Sequence, residues 1–231
     1  MTRTIASELL LLAMHEEKGK PLIDGSTLNA ALAGTAMAEL VTAGALTVVL
    51  DAGGEVRPGR LARTGVARPA DPLLGEIVDT CHGKTPKNAV AALTTMTFSD
   101  RGAELREQLL AELVAEGVLT HDRGRVLGLF PTSSWPEADP TVEQGIRSRV
   151  RAVLVDGAEP DQRTAVLISM LSVTKLAPKV LPDADADSLQ ARADAVRAGN
   201  WAGGAVAGAV QELMAVMALS VFVPVFLSAG S

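Results

Sequence analysis

The side chains best equipped for chemistry are scattered along this chain rather than grouped. His15, His82 and His121 lie in separate stretches without metal-ligand spacing, and no Gly-x-Ser-x-Gly, Walker or Rossmann signature occurs. The lone cysteine, Cys81, has His82 beside it, but adjacent helical residues do not face one another, so it reads as a buried or half-buried bystander. A lone cysteine also excludes an intramolecular disulfide and points to a reducing cytoplasm. The run Asp183-Ala184-Asp185-Ala186-Asp187 offers carboxylates without the glycine and bidentate glutamate of an EF-hand loop, and it reads as an acidic cluster at a helix N-terminus. No catalytic activity, metal or cofactor is expected. Positive charge is the remaining resource, at Arg101 and Arg106 and again at Arg147, Arg149 and Arg151. Arg147 and Arg151, four residues apart, also fit a solvated helix face paired with Glu or Asp.

The elements that must position these residues are legible from two nearly repeated stretches. Ala38-Glu39-Leu40-Val41-Thr42-Ala43-Gly44-Ala45-Leu46-Thr47 returns as Ala111-Glu112-Leu113-Val114-Ala115-Glu116-Gly117-Val118-Leu119-Thr120. Apolar spacing before each, at Leu28, Leu32, Met37, Leu40 and Val41 and at Leu105, Leu109, Leu110, Leu113 and Val114, predicts an amphipathic helix. Gly44 and Gly117 stand where the helix end needs a left-handed residue, and a β-hairpin should follow each. The first hairpin starts with Leu46 to Leu50 and has a poorly defined second arm. The second uses Val118 to Thr120 and Val126 to Phe130 as arms around Asp122-Arg123-Gly124. Further helices are expected at Ile5 to Glu16, Pro72 to His82, from Pro86 to Leu93, Asp139 to Val155, Pro160 to Leu176, Ala184 to Ala198 and Gly203 to Phe222. Breaks fall at Gly157 to Pro160 and Ala177 to Asp183, and Pro131 to Pro136 reads as an irregular connection.

Composition narrows the class. The 231 residues suffice for one large core, and a mainly α, helical-bundle domain spanning 1–231 is expected. With aromatics at 3% and no tyrosine, that core must be Leu, Val and Ala. A net charge of -6 argues against nucleic acid as a partner, because phosphate neutralisation needs a surplus of Lys and Arg. The start of the chain leads directly into an amphipathic helix and lacks the features of a signal peptide. The last helix is apolar on both sides, with Val206, Val210, Leu213, Met214, Met217 and Val221 on one and alanines, Gly208 and Leu219 on the rest. Its apolar stretch from Leu213 to Leu227 is about 15 residues, below the roughly 20 that cross a bilayer. A central core helix is the reading, with a tail dipping into a membrane surface as the alternative.

The order of these blocks resembles the Golgi phosphoprotein 3 family over nearly the whole chain. The resemblance is carried by Glu8-Leu9-Leu10-Leu11-Leu12 with Glu17-Lys18-Gly19, and by Leu32-Ala33-Gly34 with Ala38-Glu39-Leu40 and Gly44-Ala45-Leu46. It continues through Leu113 to Thr120, Leu129-Phe130-Pro131-Thr132 and Arg147-Ser148-Arg149-Val150-Arg151-Ala152-Val153-Leu154. The eukaryotic members' long charged N-terminal extension is missing, as fits a bacterial form. The resemblance implies a non-catalytic helical domain that docks on phosphatidylinositol 4-phosphate and captures cytoplasmic tails of membrane enzymes. Arg106 falls on one of the family's head-group arginines, whereas Ala33 and Ala103 stand at the other two and Asp24 replaces the site tryptophan. A phosphomonoester needs several converging donors, so these departures weaken specific recognition of that lipid. A looser affinity for anionic phospholipid or phosphoinositide head groups would draw on Arg101, Arg106, Arg147, Arg149 and Arg151, each worth about 1 kcal/mol near a negative surface.

The resemblance also implies self-association through the second hairpin, where Val126, Leu127, Leu129 and Phe130 would form an apolar edge. A hairpin packed on its own domain is the alternative. The resulting expectation is a peripheral membrane adaptor on the cytoplasmic face, with a protein partner and a homo-oligomer in view. Its rivals are a soluble protein-docking scaffold and a winged-helix-like regulator, since helix-plus-hairpin units also build winged helices.

Overall fold

Aspartates open most of the helices. The computed structural model describes residues 3–51, 54–65, 69–94, 100–126 and 130–199. Within these, helices run over α1 Ile5–Leu12, α2 Gly25–Thr42, α3 Pro72–Cys81, α4 Pro86–Thr94, α5 Arg101–Ala115, α6 Pro140–Leu154, α7 Gln162–Thr174, α8 Ala177–Val180 and α9 Ala186–Arg197. Asp24, Asp71, Asp100, Asp139, Asp161 and Asp185 each accept from a backbone N–H of the first turn that follows, satisfying donors that the helix leaves unpaired. The two repeated helix ends behave as their glycines predict: Gly44 and Gly117 adopt φ of 73° and 74°. The protein is mainly α.

Two separate hairpins decorate the helices. In the first, β1 Leu46–Val48 pairs antiparallel with β2 Leu61–Arg63. In the second, β3 Asp122–Val126 pairs with β4 Phe130–Ser134, so that Asp122 faces Ser134 and Val126 faces Phe130. This corrects the expected second hairpin. Asp122-Arg123-Gly124 is strand rather than turn, Pro131 to Ser134 is strand rather than irregular, and Val118 to Thr120 is not an arm. Val118 and Leu119 are buried in the core instead, and Leu119 makes a lone bridge with Glu137. Hydrophobic burial thus takes the apolar pair, and the polar stretch after it forms the ribbon. Leu127 and Leu129 lie outside the described residues, as does the expected helix from Gly203 to Phe222.

The centre is occupied by the first helix. All eight residues of α1 are buried, including Ser7 and Glu8, and α1 packs against α2, α5, α6 and α7. A helix apolar all round belongs inside. It is shorter than its pattern suggested: the chain turns back after Ala13, and Met14 bridges to Pro21. Around it, α2 contacts α3, α4, α5 and α7, while α8 and α9 close over α7. The stretch read as a plain break therefore holds the short α8. The buried apolar side chains are Leu, Ala, Val, Ile and Met with Cys81, and no aromatic is among them in the described residues. No helix of the described residues is long and apolar enough to cross a membrane.

Candidate functional site

The two arginines of α5 are placed by a close antiparallel crossing of α5 over α2. At its start, Asp100 accepts from Asn29 Nδ2 at 3.0 Å, and a Cβ on Gly102 would come within 2.6 Å of the Asn29 carbonyl oxygen. One turn further along α5 and one turn back along α2, Arg106 Nη1 lies 3.3 Å from where a Cβ on Gly25 would stand. Arg106 therefore lies against the same end of α2 that Asp24 caps. The Asp24 carboxyl is held at about 2 by hydrogen bonds from the Ser26 and Thr27 hydroxyls and the Thr27 amide. No ion pair joins Asp24 to Arg106. Among the described residues, the carboxylate paired with the Arg106 guanidinium is Glu107 at 3.5 Å, a long contact.

The other arginines are more fully engaged. Arg101 meets Glu76 at 2.6 Å and Glu104 at 2.5 Å. Arg147 bonds Glu16, Glu143 and the Val180 carbonyl, Arg149 bonds Glu8 at 2.7 Å, and Arg151 pairs with Asp183. The paired reading of Arg147 and Arg151 is what the geometry shows. The two groups share no partner: Arg101 and Arg106 meet Glu76, Glu104 and Glu107, while the arginines of α6 meet Glu16 and Glu143, Glu8, and Asp183. Arg101 and Arg106, five residues apart, project about 140° from each other around α5.

A family model for Golgi phosphoprotein 3 (GPP34) matches residues 5–213. The chain belongs to the Golgi phosphoprotein 3 family. No curated protein matches the sequence. Within this family member, of the head-group positions that the resemblance implied, Arg106 alone carries a guanidinium. Ala33 is 1% exposed inside α2, so a longer side chain there would have to open the core rather than reach solvent. Asp24 serves as a helix cap, and its carboxylate already holds the end of α2 at which an anion would otherwise bind.

Several carboxylates escaped the reading of the sequence. Glu8 is buried in α1 and shared by Arg149 and Arg163; its only signal was a charge directly before four leucines. Glu39 accepts from the Ile5 and Ala6 amides, capping α1 from the neighbouring helix, and burial raises its pKa. Cys81 is buried, which pushes its thiol up to about 12, so no thiolate is present near neutrality.

The third group is Glu137, Glu143 and Glu16 around Arg147. Burial, followed by the Glu143 and Glu16 charges and a hydrogen bond to Glu143, pushes Glu137 up to about 7, against the Arg147 charge. Because its folded value lies above the ordinary 4.5, its contribution to stability is full below about 4.5 and is lost as pH rises through about 7. Glu143 shifts in the same direction through burial. Thermal melts from pH 5 to pH 8.5 should therefore show the protein weakening across that window, with Glu137→Gln weakening less. Parallel curves for the two proteins would mean that Glu137 does not titrate with folding.

Proposed function

We propose that this family member is a non-catalytic peripheral membrane adaptor that meets anionic phospholipid head groups through the Arg101–Arg106 end of α5. The observation that supports the reading is the sparse pairing of Arg106, in a chain of this family, beside the end of a helix. Because Arg101 and Arg106 diverge around α5, they suit separate head groups better than one phosphomonoester. The attraction is then electrostatic, weakened by salt and indifferent to the phosphoinositide. Arg101 joins it by exchanging exposed ion pairs with Glu76 and Glu104, which are worth little to keep. A protein partner on another face completes the adaptor.

Co-sedimentation with vesicles tests this directly. Neutral phosphatidylcholine vesicles should leave the protein in the supernatant, and added phosphatidylglycerol should pellet it at low salt but not at high salt. Phosphatidylinositol 4-phosphate should do no better at matched charge. Arg106→Glu should weaken binding about tenfold or more, and Arg101→Glu with Arg106→Glu should abolish it while the thermal midpoint holds. Undiminished binding by the double variant would move the membrane face to α6. Absence of binding to every vesicle would leave a soluble docking scaffold.

A further inference from the structure

A cavity of about 650 Å³ opens between the N-terminal ends of α1 and α7, the C-terminal half of α2, and α5. That volume lies within the range of small-molecule sites. Ile5, Leu40, Leu74, Leu105 and Leu109 are among the residues of its wall, and Ala36 and Ala43 leave room where larger residues would fill it.

The polar groups on this wall carry one sign in excess. Glu39 turns both oxygens toward the Ile5 and Ala6 amides. Across the mouth, Gln108 Nε2 gives one hydrogen bond to Asp71 at 2.5 Å and one to Glu112 at 2.9 Å, while the other Asp71 oxygen accepts from the Leu73 and Leu74 amides. None of Glu39, Asp71 and Glu112 has an ion-pair partner among the described residues. Asp161 is offset by the Arg149 and Arg163 charges, and Arg163 is itself spent on Glu8 at 3.1 Å and on the Arg3 carbonyl. Past Gln108 the mouth runs into a shallow polar depression where Glu76 and Glu104 stand against Arg101. Two carboxylates bridged by a neutral amide, neither with an ion-pair partner among the described residues, stand at the rim of an apolar cavity. An ammonium there would supply a charge-assisted donor to each, which is about twice as strong as the neutral bond.

We propose that this cavity binds an aliphatic ammonium ion, with its chain along Leu40, Leu74, Leu105 and Leu109 and its head group between Asp71 and Glu112. The site is distinct from the arginine end of α5 that serves anionic head groups. An aliphatic carboxylate is repelled by the same rim, and a neutral alcohol gains only the apolar part of the contact.

Calorimetric titration of the full chain with decylammonium, decanol and decanoate, each kept below micelle formation, separates the cases. Decylammonium should fill one saturable site, decanol should bind about tenfold more weakly, and decanoate should not bind. Glu112 is exposed and its side chain bonds only Gln108 among the described residues, so Glu112→Gln should fold normally and weaken decylammonium about fivefold without changing decanol. Ala43→Trp, at the exposed end of α2, places an indole across the mouth and should weaken both. Similar affinity for all three probes, or binding untouched by both variants, would overturn the proposal. So would the absence of a saturable site.

Discussion

Gly19→Ala should melt about 10 °C below the parent protein. Gly19 has φ of 55°, and a Cβ there would stand 2.2 Å from Pro136 N and from the Trp135 carbonyl carbon. Those are backbone atoms held in place. Trp135 N–H donates to the Gly19 carbonyl at 2.8 Å, and Glu137 N–H donates to the Glu16 carbonyl at 3.1 Å, so the connection between α1 and α2 is laced to the strand leaving β4. Alanine must both adopt a left-handed conformation and push this strand away, for about 3 kcal/mol together. At about 2–4 °C per kcal/mol for a chain of this size, the shift is near 10 °C. Gly44→Ala is the internal control. Its φ is 73°, yet nothing lies within 4 Å of the added carbon, so about 1 kcal/mol and a few degrees should be lost. Equal midpoints for the two variants would show that the loop does not press on Trp135.

Glu8→Ala should lose about 3 kcal/mol in urea denaturation. Glu8 is 5% exposed, with one oxygen 2.7 Å from Arg149 and the other 3.1 Å from Arg163. Its removal takes the only carboxylate that ties the central α1 to both α6 and α7. Breaking a buried pair costs roughly 3–5 kcal/mol, and the lower end applies because the two arginine side chains are 42% and 27% exposed and recover water. Glu8→Gln, which keeps the shape and an acceptor, should lose about half as much. A double-mutant cycle with Arg149→Ala should return at least about 1 kcal/mol of coupling. Additive losses would mean that the pair is not formed in solution. The same cycle bears on the membrane face, since an Arg149 engaged with Glu8 has less charge to offer a lipid.

The helices were legible wherever their own residues carried the instruction. The apolar spacing of α2 and α5 and the glycines after them specify the elements locally, and the structure follows. The second hairpin was not legible, because Val118-Leu119 has strand composition but is claimed by the core, and Asp122-Arg123-Gly124 has turn composition but is paired by Thr132 to Ser134. Tertiary burial overrode local preference at both places. The arginines were visible as candidates, but their engagement was not. Arg149 finds Glu8 at 141 positions' distance and Arg147 finds Glu16 at 131, separations at which no periodicity speaks. The departure at Asp24 could be read from the sequence, while its work as the cap of α2 needed the fold.

The place of α1 sets the order in which a growing chain can become a protein. This greasy octamer leaves the ribosome ahead of its seat, which is built from α2, α5, α6 and α7, the last of them ending at Thr174. At about 5–20 residues per second, roughly ten to thirty seconds pass between the synthesis of Leu12 and that of its final neighbour. For that interval Leu9 to Leu12 is an unsheltered adhesive tract. A cell producing this protein in quantity must keep that tract occupied until the wall around it arrives.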